Sequence, residues 1–188
     1  MTVRPITITG EPVLHQVAVE VATFDDELRQ LVEDMFDTME EAPGVGLAAP
    51  QVGVNLRVFV YDYADDDGTE RRGVLINPIL EIGPIEEGDA DWDTELEGCL
   101  SVPGERFPIK RADWAKVSGL DLNKNPVEIE ATGWFARIFQ HEFDHLNGTL
   151  YVDKLAEPHK SDAARVVIEN GWGKSGITWM PGIDNLED

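Results

Sequence analysis

The stretch from Gly133 to Leu146, closing on Gln140-His141-Glu142-Phe143-Asp144-His145, decides how the rest of this 188-residue chain is read. Its pattern is helical, with Gly148 as a stop. On a helix, His141 and His145 stand one turn apart on the same face, which offers two imidazoles to one divalent ion. Glu142 falls on the adjacent face, where it reaches a water on such an ion but is poorly placed as a third ligand. The segment points to metal-assisted hydrolysis and leaves the third ligand open. A surface helix bearing two histidines and no metal is the competing interpretation.

Working outward, short runs of β-branched and apolar residues between turn signals predict strands over 56–62, 74–82, 115–121 and 127–131. They lie too close together for helical crossovers, so antiparallel pairing is expected. Further out, Asp25 to Glu41 places Leu28, Leu31, Val32, Met35, Phe36 and Met39 at helical spacing, with acidic residues at its start and Pro43-Gly44 as a stop. Its methionines read as core filler. A last helix is predicted from Ser161 to Glu169 with Ala164, Val167 and Ile168 as its apolar stripe. The tail beyond it, from about residue 172 to 188, carries Trp172 and Trp179 and either packs on the body or stays partly loose. With no repeat and no linker rich in Ser, Gly or Pro, residues 1–188 are expected to form one α+β domain with a C-terminal extension.

Composition narrows the function. Hydrophobic residues at 42% and charged ones at 28% describe a globular chain, while a formal charge of −22 disfavours tight binding to nucleic acid or anionic membranes. Acid concentrates in 62–70 and in 86–97, where seven of twelve residues are Asp or Glu; both runs are expected to be solvated loops. Salt adaptation and lineage bias would each produce this balance. A lone cysteine, Cys99, excludes an internal disulfide and fits a reducing compartment. The residues from Met1 to Gly10 carry no secretory signal, and no span reaches membrane-crossing length, so a cytoplasmic protein is expected.

The third ligand can be sought by elimination among known sites. A metzincin would place histidine at 151, where this chain has Tyr151. A peptidase taking a glutamate from a following helix has only Glu169 to offer, without a supporting motif. Cys99, in Glu97-Gly98-Cys99-Leu100-Ser101, remains as a thiolate candidate, balanced against an inert buried thiol. Gly44-Val45-Gly46-Leu47-Ala48-Ala49-Pro50-Gln51 lacks the lysine and serine of a phosphate loop. Its small residues either admit a substrate backbone, with Gln51 as an amide donor to an oxyanion, or make a tight turn into a strand.

Taken together, the stretches Gly44 to Gln51, Glu97 to Ser101 and Gln140 to His145 resemble, in order and spacing, the three motifs of the peptide deformylases. Flanking stretches Gly10 to Leu14 and His145 to Gly148 look like that family too. The resemblance implies an α+β fold in which antiparallel strands enclose the histidine helix, and removal of the formyl group from the N-terminal formylmethionine of new proteins. It implies Cys99, His141 and His145 as ligands of Fe(II), replaceable by zinc, nickel or cobalt. Glu142 would be the proton carrier, and Gln51 with the Leu100 N–H would stabilise the oxyanion. It further implies a methionine pocket with Val45, Leu100 and Ile138, Gly46 pairing with the substrate backbone, Arg106 contacting the peptide further along, and Glu97 and Arg137 orienting the site from behind. The partners implied are N-formylmethionyl nascent peptides, with Lys160 and Arg165 as the cations available for a transient ribosome contact. The alternatives are a metallopeptidase built on the same two-histidine helix and a non-catalytic relative that binds such peptides without cleaving them. Retention of Glu142 and Gln51 argues against the latter.

Overall fold

In the computed structural model, which describes residues 2–65, 68–184 and 186, a short strand β1 (Ile6–Thr7) precedes helix α1 (Asp26–Glu41). Asp25 caps α1 by accepting the Leu28 N–H at 3.0 Å, and Asp26 and Glu27 place negative charge at the positive end of the helix dipole. Then follow β2 (Gly46–Ala48), β3 (Val58–Ala64), β4 (Glu70–Ile82), β5 (Leu96–Cys99), β6 (Val102–Pro108), β7 (Trp114–Leu120), β8 (Pro126–Thr132), α2 (Gly133–Leu146), α3 (His159–Glu169) and β9 (Thr178–Trp179). All strand pairs are antiparallel. Five strands form one sheet in the order β2-β3-β4-β7-β8, while β5-β6 and β1-β9 are two-stranded ribbons.

Strand β3 shows why the large sheet is covered on both sides. Side chains alternate across a strand, so Val58 and Val60 enter one core with Leu28, Leu31, Val32, Met35 and Met39 of α1. Phe59 and Tyr61 enter a second core with Phe135, Phe139 and Leu146 of α2. A strand buried on both faces reads as a continuous apolar run, which is how this segment reads. A third core, holding Leu14, Cys99, Phe107, Ile109 and Tyr151, lies under the β5-β6 ribbon.

Two expectations are corrected and one left open is settled. The acidic run 62–70 is not all loop: Asp62 to Ala64 and Glu70 belong to the β3-β4 hairpin, where Asp62 is the register partner of Arg72 and forms an ion pair with it. Opposite charges across the ladder let acidic residues stay in a strand; residues 66 and 67 lie outside the described residues. Helix α3 begins two residues early and buries Ala163, with Val166 packed behind it, whereas Ala164 is exposed and Ile168 is 77% exposed. The inner face is therefore one position away from the expected stripe. The tail packs on the body through β9, which pairs with β1; residues 185, 187 and 188 are outside the described residues.

Candidate metal centre

Two backbone segments with different periods face each other at the site. In β5, Glu97 and Cys99 share the buried face, two strand residues and thus about 6.6 Å apart. In α2, His141 and His145 lie four residues and about 6 Å apart along the axis. The matching spacings let each strand side chain meet one histidine. The Nδ1–H of His141 donates to Glu97 Oε1 at 2.7 Å, and Cys99 Sγ lies 3.3 Å from His145 Nε2.

With Nδ1 of His141 committed to a carboxylate, its Nε2 presents the lone pair, 3.2 Å from Nε2 of His145. The Cys99, His141 and His145 donor atoms all lie within 4.8 Å of one another, and among the described residues they form the one cluster of this kind. A tetrahedral ion with bonds of about 2.0–2.3 Å spans ligand-to-ligand edges of about 3.3–3.6 Å, so the observed separations of 3.3 and 3.2 Å fit its edges closely. A thiolate with two imidazoles suits a borderline divalent metal, and three protein donors leave a fourth position open.

The electrostatics favour a cation at this point. Burial disfavours a charged His141, but the neighbouring Cys99 sulfur and Glu97 outweigh it and raise the imidazole well above its usual range. Burial and the charge of His141 hold His145 well below that range. Burial also opposes ionisation of Glu97, yet Arg111 and His141 keep it well below the ordinary carboxylate range. An anionic pocket of this kind stabilises positive charge, and a divalent ion carries more of it than a proton.

Glu142 is 3% exposed and its Oε2 accepts no hydrogen bond from the described residues. Burial pushes its carboxyl up to about 7, against the lowering pull of His141. Space for it is made by Gly46: a Cβ there would collide with Glu142 Oε1. Gln51 is 1% exposed; its Oε1 accepts the Ala48 N–H at 2.8 Å, which turns its Nε2 towards Cys99 Sγ, 3.7 Å away.

The polypeptide deformylase family model matches residues 3–161. The chain belongs to this family. It is 55% identical to the peptide deformylase of Mycolicibacterium paratuberculosis, over 97% of this chain and 96% of that one. It is 52% identical to peptide deformylase 2 of Corynebacterium efficiens, over 98% and 96%. Among solved structures, a peptide deformylase from Legionella pneumophila superposes with a TM-score of 0.77 at 39% identity, covering 90% of this chain and 95% of the other. One from Synechococcus elongatus in complex with actinonin gives 0.76 at 37%, covering 92% and 91%. The chain is therefore a metal-dependent hydrolase that removes the N-formyl group from formylmethionyl peptides, and its fold is that of the family. The metallopeptidase and the non-catalytic binder are set aside. Among the described residues, no helix is long and apolar enough to cross a membrane.

A deformylase needs a substrate cleft at the donors, and a cavity of about 290 Å³ opens there. It gathers the expected Val45, Gly46, Gln51, Leu100, Arg106 and Ile138, with Glu97 and Arg137 at its edge. A larger hollow of about 950 Å³, between the 85–90 loop and the start of α3, is lined by none of the three donors, so size is no guide to chemistry here.

Much of the frame around the candidate site is not readable in the sequence. Arg111 forks onto Glu97 through Nε at 3.1 Å and Nη2 at 2.6 Å, and bonds Asp144 through Nη1 at 2.6 Å. Asp144 in turn pairs with Lys154 at 2.6 Å. In the sequence, Arg111 follows Lys110 and looks like a solvated loop residue. Gln140 clamps the next residue, accepting from Ala112 N at 3.0 Å and donating to Ala112 O at 2.8 Å. Arg137 adds a bond to Glu97 at 3.2 Å and to the Ile109 carbonyl at 2.9 Å, with its guanidinium 5.1 Å over the Trp134 ring. Trp134, Tyr63 and Leu96 also line the cleft.

Proposed function

We propose that Cys99, His141 and His145 hold one Fe(II) ion, replaceable by zinc, nickel or cobalt, and that Glu142 is the proton carrier of the deformylase reaction. The observation that carries this reading is the three-donor cluster with a buried carboxylate beside it, one oxygen of which has no partner among the described residues. The ion, when bound, supplies Lewis acidity towards a water and towards the formyl carbonyl. Glu142, raised towards neutrality by burial, takes a proton from the attacking water and returns it to the leaving amine. Gln51 Nε2, oriented by Ala48, and the Leu100 backbone N–H donate to the oxygen on which charge develops.

In this proposal Gly46 pairs with the peptide backbone, and Val45, Leu100 and Ile138 surround the methionine side chain. Arg106, exposed at the cleft, meets the peptide further along. Glu97 and Arg137 hold His141 in its ligating tautomer. Residues 1–188 act as one catalytic unit in the cytoplasm, with the segment from about 172 as an extension. Contact with the ribosome would fall to few cations, since Arg165 is already paired with Asp162 at 2.8 Å, leaving Lys160 as the freer of the two.

The test is formate release from a formyl-Met-Ala-Ser peptide by enzyme loaded anaerobically with Fe(II). Release that decays in air and is restored by nickel or cobalt is expected. No release by the iron form, or full air-stable iron activity, would sink the metal assignment. In cobalt-loaded protein, intense near-ultraviolet thiolate bands should vanish in Cys99→Ala.

A further inference from the structure

The C-terminal tail lies past residue 161, where the family match ends, and touches the site from behind. Its strand β9 pairs with β1 in the register Ile6↔Trp179 and Thr7↔Thr178, and the Ile8 N–H donates to Ile177 O at 3.1 Å. One residue further along, Thr9 joins two segments: its carbonyl accepts the Gly173 N–H at 3.0 Å, and its own N–H donates to Ser101 O at 2.9 Å. The tail is pinned again at its start, where Glu11 accepts from Ser175 Oγ at 3.1 Å and Gly176 N at 2.6 Å. Gly10 permits this approach, because a Cβ there would strike the backbone of Gly173 and Lys174.

The decisive contact is made by Trp179. Its ring is buried at 3% exposure in the α1 core, and its indole N–H donates to the Leu100 carbonyl at 2.8 Å. That carbonyl belongs to the same peptide unit as the Ser101 N–H, which donates to Cys99 Sγ at 3.4 Å. A peptide unit is planar, so fixing its oxygen fixes the direction of its N–H. Trp179 at one end therefore aims a hydrogen bond at sulfur at the other. Thr9 holds the following carbonyl, so the chain just after Cys99 is secured from two sides by the tail and the strand it covers.

We infer that Trp179 is a positioning residue for the deformylase reaction, acting through the Leu100–Ser101 peptide on the Cys99 sulfur and the Leu100 backbone. The inference rests on Cys99 being a metal ligand. An N–H···S bond lowers the energy of the sulfur lone pairs and sets the thiolate's direction, and such outer contacts tune a metal site as much as the ligands themselves. The tail is thus part of the catalytic apparatus rather than a surface appendage.

Trp179→Phe, which keeps an aromatic ring in the core and deletes the donor, tests this in the full chain. With cobalt bound, the thiolate charge-transfer band should move to longer wavelength. For the iron or nickel form, kcat should fall about tenfold while KM for formyl-Met-Ala-Ser stays within about twofold. If the band and kcat match the wild type and only the unfolding midpoint drops, Trp179 merely fills the core and the inference is wrong. Should the phenylalanine variant not fold, benzothienylalanine at 179, with the shape of tryptophan but no N–H, gives the same readout. The ligand assignment fails separately: wild-type cobalt protein would then lack any thiolate band removed by Cys99→Ala.

Discussion

The two sides of the metal centre are built on opposite terms. His141, Glu142 and His145 come from one helix, whose geometry sets their spacing, and the apolar face of that helix packs on Phe59 and Tyr61 of the large sheet. Cys99 comes from a four-residue strand with a register shift beside it, and its local contact, the Ser101 N–H 3.4 Å from the sulfur, is itself aimed from outside the strand. Its position depends on partners distant in sequence: Arg111 on Glu97, Gln51 near the sulfur, Thr9 and Trp179 on the following residues. A site of this kind has a helix half whose catalytic side chains can be changed without disturbing the frame. Its strand half cannot be changed without disturbing metal, stability or both.

The largest effect should fall on the helix half and leave the structure alone. Glu142→Gln removes the proposed proton carrier, and kcat should drop by about 10³-fold, within the range of general acid–base catalysis. Bound metal per chain, measured by atomic absorption, should be unchanged. Metal loss in this variant would break the comparison, because it would make Glu142 part of the frame.

The strand half predicts the reverse pattern. Arg111 is 8% exposed and is the shared cation of two buried carboxylates, Glu97 and Asp144, at 2.6 Å each. Arg111→Met leaves both without it, and breaking a buried pair in this way costs about 3–5 kcal/mol, read as a lower midpoint of denaturant unfolding. A loss below about 1 kcal/mol, the scale of a surface pair, would show that Arg111 does not frame the site.

This asymmetry also explains what the sequence could and could not tell. Strands β3, β4, β7 and β8 were legible as β-branched and apolar runs between turn signals, and α1 and α2 because their apolar residues repeat at a period of 3.6, with α2 running over the expected Gly133–Leu146. His141 and His145 were legible for the same reason. Cys99 could only be nominated by elimination and by resemblance, since the match between a strand's two-residue spacing and a helix's four-residue spacing exists only after folding. Strands β1, β2, β5 and β9 are short, and pairing rather than period makes them strands, while β6 is as long as β3 but opens on Val102-Pro103-Gly104, which reads as a turn. Arg111 was invisible, and Asp144 and Gln140, though inside the quoted motif, had no readable role, because a charged or amide side chain in the sequence looks solvated until its partners arrive. The inner face of α3 was misread for a related reason: over eleven residues, an early start shifts which positions meet the core.

A smaller effect separates the two halves at their point of contact. Glu97 accepts from His141 on the helix while held by Arg111 and Arg137 on the other side. Glu97→Gln keeps the shape and removes the charge, so metal affinity should fall about 10–100-fold in a chelator competition. An unchanged affinity would mean that His141 is oriented by the helix alone.

The smallest expected change tests whether the helix half needs support at all. Tyr151, five residues past α2, tilts 30° against the His141 ring with centroids 6.1 Å apart, and its hydroxyl donates to the Glu105 carbonyl of β6 at 2.9 Å. It is 1% exposed, so Tyr151→Phe retains the ring contact and leaves a part-buried carbonyl with one partner fewer. Stability should fall by about 1 kcal/mol in denaturant unfolding, the usual scale for a neutral hydrogen bond. Because α2 already sets the His141–His145 separation, metal affinity and kcat should match the wild type. A drop in metal affinity comparable to that of Glu97→Gln would overturn this, for it would show that the histidine side of the centre, like the cysteine side, is held in place by contacts across the fold.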